Sequence, residues 1–395
     1  MKKKLLAIVL VLTMVSAFFT GCGTKNNGAS NAKNTVKSGT TSSEGDTTSK
    51  DEGSSTNSYE LALVTDVGTI DDKSFNQGSW EGLEKYATEN NISYKYYQPT
   101  EKTTTSYVET IGLAVTNGAK LVVCPGYLFE AAVFETQNTY PDVKFILLDG
   151  QPHSEDYSEF KINDNVYAIL YAEEQAGFLA GYAAVKDGYT DLGFMGGMAV
   201  PAVIRYGYGY AQGANYAAQE LGVANVNLKY NYTGGFNASP EVQSMAASWY
   251  TDGTQVIFGC GGGLGNSVMT AAEADASGDK GVIGVDVDQS PESATVISSA
   301  MKGLGVSVYD GIKAYYDGSF PGGQVVTLDA TNDGVELPME TSKFKTFTTD
   351  DYNAIFAKLV ASEITLTKNE DADGNAIEIT TLDESLANVT IDFVE

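Results

Sequence analysis

The chain has 395 residues, long enough for two domains, with the aromatic and aliphatic content for real cores. Its formal charge of −27 repels nucleic acid and gives no general attraction to phosphates, so an anionic ligand would need a locally basic pocket that the sequence does not display. A single histidine excludes imidazole metal clusters and leaves any Ser-His-Asp triad dependent on His153 alone.

Lys2, Lys3 and Lys4 precede an apolar run from Leu5 to Phe19, the layout of a secretory signal. At about 15 residues the run is short for a free-standing membrane span. It ends in Phe19-Thr20-Gly21-Cys22, which resembles a bacterial lipobox, although Phe19 stands where leucine is usual. Residues 1–21 therefore read as a lipoprotein signal peptide, with Cys22 lipidated as the first mature residue; an uncleaved anchor or plain secretion is the other reading. Three lysines and no acid leave with the signal, so the mature chain carries −30. From Gly23 to Ser58 almost nothing is apolar, and such a segment cannot offset its ordering entropy by burial. Residues 22–58 are thus expected to be a flexible tether holding a folded domain at the extracytoplasmic face of the cell membrane. Cys124 and Cys260 lie in apolar strand-like runs and read as buried free thiols.

Leu61 to Val64 is a short apolar run of the kind that forms a buried parallel strand. The chain then turns through Asp66, Gly68 and Asp71-Asp72 to Ser74, a fair helix N-cap, with Trp80, Leu83 and Ala87 at helical spacing behind it. Ser93–Tyr97, Leu121–Cys124 and Lys144–Leu148 read as further strands. Helices are expected around Tyr107–Val115 and Glu130–Asn138. Four βα-like units argue for a parallel sheet.

Near Ile162 the pattern restarts, with Tyr167 to Val185 reading as one long apolar helix that carries Glu173 and Glu174. Strands are expected at Leu192–Met195, Val226–Tyr232, Val256–Cys260 and Gly281–Val285. Helices are expected at Pro201–Leu221, Pro240–Tyr250 and from the glycine loop to about Ala276. The two lobes do not close independently. Ala294–Met301 reads as a strand, Tyr309–Tyr316 as a helix, Val325–Leu328 as a strand and Asp351–Ile364 as a terminal helix. Asp371–Asn375 looks like a turn between short strands. No solenoid-type repeat is present.

The expected strand ends carry Asp66, Pro125-Gly126, Asp149, Gly196-Gly197, the Gly261–Asn266 loop and Asp286, with three carboxylates and no cation among them. In open α/β sheets ligands bind at this edge. A carboxylate there can accept two hydrogen bonds from a vicinal diol, Phe75 offers a flat face for a base or sugar ring, and Asn76 can donate and accept at a heterocycle edge. Each also has a bland reading, as a helix cap or a core residue. The glycine loop follows a strand and precedes a helix, with Asp286 about twenty residues beyond, which keeps a dinucleotide-dependent oxidoreductase among the alternatives. That fingerprint usually lies in the first βαβ unit, however, and this one does not. His153 sits in a polar loop and reads as solvated. The Glu173-Glu174 pair has no convergent partner for acid–base work.

Several stretches in order resemble the basic membrane protein family of bacterial lipoproteins, the purine-nucleoside-binding proteins of ABC transporters. They are TDVGTIDDKSFNQGSWEGL, YAEEQAGFLAGYAA, GGMAVPAVIRYGYGYAQGA, GCGGGLGNSVMTAA, VIGVDVDQS, ISSAMKGLGVSVYDGIK and FPGG. The resemblance implies a type I periplasmic-binding-protein fold, two α/β lobes with parallel sheets joined by three crossovers. It places residues 59–162 and about 287–320 in the first lobe, and 163–286 and about 321–395 in the second. It implies no enzymatic activity, cofactor or metal. The partners it implies are a nucleoside and an ABC permease. By position, Phe75 would stack on the base, Asp66 and Asn76 would read its edge, and Asp149 would line the cleft. Gly262 and Gly263 would give backbone contacts, Asp286 would hold the ribose hydroxyls, and Lys302 would complete the polar cluster. The family commonly has an aromatic where this chain has Met269, so the second stacking wall falls to Phe236, Phe258 or Met269. A sugar, another heterocycle or a sensor role are the alternatives.

Overall fold

The computed structural model describes residues 58–394 apart from 67 and 372. The signal peptide, Cys22 and all of the tether except Ser58 lie outside the described residues. The first sheet contains β1 (Leu61–Val64), β2 (Tyr94–Tyr97), β3 (Leu121–Pro125), β4 (Lys144–Leu148) and β5 (Val166–Tyr171). β1 and β3 are buried along their whole length, as continuous apolar runs in a parallel sheet covered on both faces require. α1 (Phe75–Asn90), α2 (Thr104–Thr116) and α3 (Glu130–Thr139) connect them.

The second half begins with α4 (Glu173–Lys186), β6 (Asp191–Gly196), α5 (Pro201–Leu221), β7 (Val226–Tyr232), α6 (Pro240–Thr251), β8 (Val256–Cys260), α7 (Leu264–Ala274), β9 (Gly281–Asp286) and β10 (Val296–Lys302). The chain then returns to the first lobe through α8 (Leu304–Tyr316) and β11 (Gln324–Leu328), and closes in the second with β12 (Val335–Glu336), α9 (Thr349–Val360), α10 (Ile379–Ser385) and β13 (Val389–Phe393). The sheets run β11-β5-β4-β3-β1-β2 and β12-β10-β9-β8-β6-β7-β13. Every pairing is parallel except β10 with β12. Three crossovers join the lobes, after β5, β10 and β11. They are tied together, since Ala172 N donates to Leu328 O (2.8 Å), Gly303 N donates to Gly334 O (3.0 Å) and Lys302 pairs with Val335.

The lobe boundaries differ from those expected. Val166–Tyr171 is not the start of a helix but β5, paired with β4 and β11, so the first lobe runs past 162 to about 171. Only Ala172 separates this strand from α4, and two apolar elements with no turn residue between them read as one helix. β10, expected in the first lobe, pairs with β9 in the second, while β11, expected in the second, pairs with β5 in the first. β13 was not expected; it adds a parallel edge strand to β7. His153 is buried, not solvated. Its Nε2 lies 3.1 Å from Glu130 Oε2, and Tyr157 stacks on its ring.

α4 and α5 meet backbone to backbone. A Cβ on Gly181 would lie 2.0 Å from Tyr210 O, and one on Gly213 would lie 2.0 Å from Phe178 O. No side chain fits at either position, so the separation of the two helices is set by the main chain.

Candidate functional site

The two sheets present their strand C-termini to a common cleft, the edge at which open α/β sheets bind ligands. All eight residues expected at the site line it. Asp66, Phe75, Asn76 and Asp149 come from the first lobe, and Gly262, Gly263, Asp286 and Lys302 from the second. Asp149 and Asp286 immediately follow β4 and end β9, and both have left-handed backbone (φ 55° and 68°), which turns their carboxylates off the strand ends.

The α1 end of the site is built by an unexpected cap. Ser74 precedes the helix, but its side chain makes no capping bond. Asp72 does the capping: Oδ1 accepts from Ser74 N (2.9 Å) and Gln77 N (3.1 Å), and Oδ2 from Asn76 N (3.0 Å). Ser74 Oγ is thereby released to cross the cleft and donate to Asp286 Oδ2 at 2.5 Å. Asn76 Nδ2 donates to both Asp66 Oδ1 and Asp72 Oδ2, at 2.9 Å each. Two carboxylate acceptors fix the amide's orientation and use both of its protons. Asn76 therefore holds Asp66 in place instead of offering a donor to the cleft.

Lys302 is the centre of the polar wall. Its Nζ lies 2.5 Å from Asp149 Oδ2, 3.4 Å from Glu173 Oε1 and 3.5 Å from Asp286 Oδ1, and 4.5 Å from the centre of the Phe75 ring. Burial works to lower the lysine, but the three carboxylates hold it above its ordinary value. Burial pushes Asp149 up, to about 7, against the pull of Lys302. Asp286 is also raised by burial, against Lys302 and Ser74. Tyr206 OH approaches Asp286 Oδ1 at 3.5 Å. Asp149 Oδ1, by contrast, is buried with no hydrogen-bond partner.

Of the three candidates for a second wall, Phe236 lines the cleft. Its ring lies on the backbone of Gly197 and Gly261, where an added Cβ would meet it at 2.4 and 2.8 Å. Phe258 does not line the cleft; it is fully buried against Phe194, Tyr206 and Tyr210. Met269 packs in the core with Trp249 and Val268, because its face of α7 turns into the lobe. Contacts also bridge the cleft mouth, where Lys102 Nζ lies 3.6 Å from Met198 Sδ. Sequence reasoning passed over Asp72, the crossing bond of Ser74, Tyr206 and the buried pair Glu173 and Arg205. Arg205 did carry one signal, as the single arginine of the chain.

Two parallel-sheet lobes, three crossovers and a cleft at the strand ends make up a type I periplasmic-binding-protein fold. A solute-binding protein of an ABC transporter system from Aeropyrum pernix K1 shares the fold, with a TM-score of 0.68 at 23% identity over 80% of this chain and 95% of that one. Residues 59–370 match the Bmp family, described as ABC transporter substrate-binding protein PnrA-like, and the chain belongs to that family, whose members bind solutes and are not enzymes. It is 30% identical over 367 residues, 87% of this chain and 94% of its relative, to the ABC transporter nucleoside-binding protein BmpA of Lactococcus lactis subsp. cremoris (strain MG1363). It is 31% identical over 282 residues, 70% and 78% of the two chains, to basic membrane protein D of Borreliella burgdorferi (strain JD1). Among the described residues no helix is long and apolar enough to cross a membrane.

Proposed function

We propose that this protein captures a nucleoside, with a purine base as the best fit, between its lobes and delivers it to the permease of an ABC importer from a lipid anchor at Cys22. The observation that carries the reading is Asp149 Oδ1, a buried acceptor without a partner, beside the Phe75 ring in a cleft rich in carboxylates. Such a site favours a ligand with hydroxyl donors and a flat ring, and it disfavours a phosphate. Asp149 and Asp286 would take the ribose hydroxyls, and Phe75 and Phe236 would face the base. The backbone of Gly262 and Gly263 permits close approach, and Asp66, steadied by Asn76, faces the heterocycle edge. The name of the Lactococcus relative supports the same ligand class.

A thermal-shift panel of nucleosides, free bases, nucleotides and sugars tests the ligand. Purine nucleosides should stabilise most. Stabilisation by none of the nucleosides, or most strongly by a nucleotide or a sugar, would overturn the reading. Mass spectrometry of membrane-extracted protein should find a diacylglyceryl group on Cys22, and Cys22→Ser should release the protein from membranes.

A further inference from the structure

Glu173 and Arg205 do not line the cleft, yet they stand directly behind it. Glu173 is fully buried at the start of α4, just after the first crossover, and its two oxygens face opposite ways. Oε1 lies 3.4 Å from Lys302 Nζ, and Oε2 accepts from Arg205 Nε at 2.7 Å. Arg205 Nη1 donates on to Asn369 Oδ1 at 3.3 Å. Lys302 ends β10 at the second crossover, and its ammonium reaches Asp149 in one lobe and Asp286 in the other.

Three buried carboxylates around one ammonium leave an excess of negative charge, and a buried carboxylate without a partner is costly. Arg205 supplies the second cation on the side of Glu173 away from the cleft. Without it, Glu173 would compete for Lys302 and draw the ammonium off Asp149, which belongs to the other lobe. The backbone contact of α4 with α5 fixes how far Arg205 stands from Glu173.

We propose that Arg205 and Glu173 are positioning residues for ligand capture: Arg205 ties down Glu173, so that Lys302 stays shared between Asp149 and Asp286 and bridges the lobes over the bound ligand. The inference rests on Asp149 and Asp286 being ligand contacts, but its test does not depend on the ligand. Asp149 faces Lys302 from β10, Glu173 from α4, Asp286 from β9 and Arg205 from α5, with the phenols of Tyr171 and Tyr206 beside them.

The experiment compares Arg205→Met, Glu173→Gln, the double variant and Arg205→Lys. It reads the carboxyl carbon-13 titration of Asp149 in the ligand-free protein, affinity for inosine and adenosine, and circular dichroism to check folding. Arg205→Met should move the Asp149 midpoint upward and weaken nucleoside affinity about tenfold. Glu173→Gln should move the midpoint downward. The double variant should recover to within about threefold of wild type, because Glu173 no longer carries a charge and Glu174, which also faces Arg205 at 4.0 Å, keeps Lys368 at 3.0 Å, and Arg205→Lys should recover likewise. If Arg205→Met does not fold, Glu173→Gln carries the test by lowering the Asp149 midpoint, while Arg205→Lys, which keeps the cation beside Glu173, should leave it near the wild-type value. An unmoved Asp149 midpoint, or equal losses in the single and double variants, would overturn the inference. If no nucleoside binds the wild type, the ligand reading fails while the titration still decides this one.

Discussion

Asp149→Asn tests the site most directly, because it keeps the shape of the side chain and removes its charge. Burial holds the carboxyl up at about 7 in the ligand-free protein, so the ionised form is disfavoured there. A ligand hydroxyl donating to Oδ1 favours that ionised form, and binding is then linked to loss of a proton. Affinity should be greatest on the alkaline side of about 7 and fall as the pH drops through that value, because protonation of Asp149 removes the acceptor the ligand hydroxyl needs. In the variant, a charge-assisted bond worth about 1.5–3 kcal/mol is lost at pH 8, or roughly 10- to 150-fold in affinity, and the dependence below pH 7 should flatten. Stability runs the other way. A raised acid stabilises the fold most below the ordinary carboxylate range, and that contribution is lost as pH rises through 7, so the ligand-free wild type should lose ground to the variant over this window. Calorimetric titration with inosine across this range reads the affinity, and thermal melts read the stability. A wild-type affinity that rises on acidification, or identical pH profiles in the two proteins, would refute the reasoning.

Ser74→Ala should weaken nucleoside binding severalfold by removing the donor to Asp286, while the first amides of α1, held by Asp72, keep their protection in hydrogen exchange; loss of that protection would show that Ser74 is the cap after all. Phe236→Ala should cost about 0.5–1.5 kcal/mol of ring contact beyond its area, and so weaken nucleosides more than free ribose in a competition assay. Equal losses for both would remove Phe236 from the base wall. Gly181→Ala should destabilise the protein by about 1–3 kcal/mol in urea unfolding, because its methyl would meet Tyr210 O at 2.0 Å. A change of only a few tenths would mean that the helices part easily.

Most strands were legible because buried parallel strands are continuous apolar runs, and their C-terminal ends named Asp66, Asp149 and Asp286 together. The sheet to which a strand belongs was not legible. β10 and β11 have the same kind of composition, and only the crossovers decide which lobe takes each. The boundary at 162 failed for a related reason, since β5 runs into α4 through Ala172 with no glycine or proline to mark the change. Capping was misplaced because Ser74 is the better cap by residue type, whereas the geometry gives Asp72 the helix amides. The charge cluster lay furthest from reach. Lys302 and Asp149 stand 153 positions apart, and Glu173 read as one half of an acidic pair with no convergent partner, whereas the fold brings Arg205 of α5 against it.

The glycine contact between α4 and α5 bears on any attempt to recast this protein as a fluorescent reporter. Such sensors are made by inserting a second domain or attaching a dye where ligand binding changes the surroundings. The paired helices admit no added atom at their seam, so insertions there should abolish signal and expression together. The cleft mouth around Lys102 and Met198 lies on loops of opposite lobes, and labels at these two positions should follow opening and closing without disturbing the helical pair.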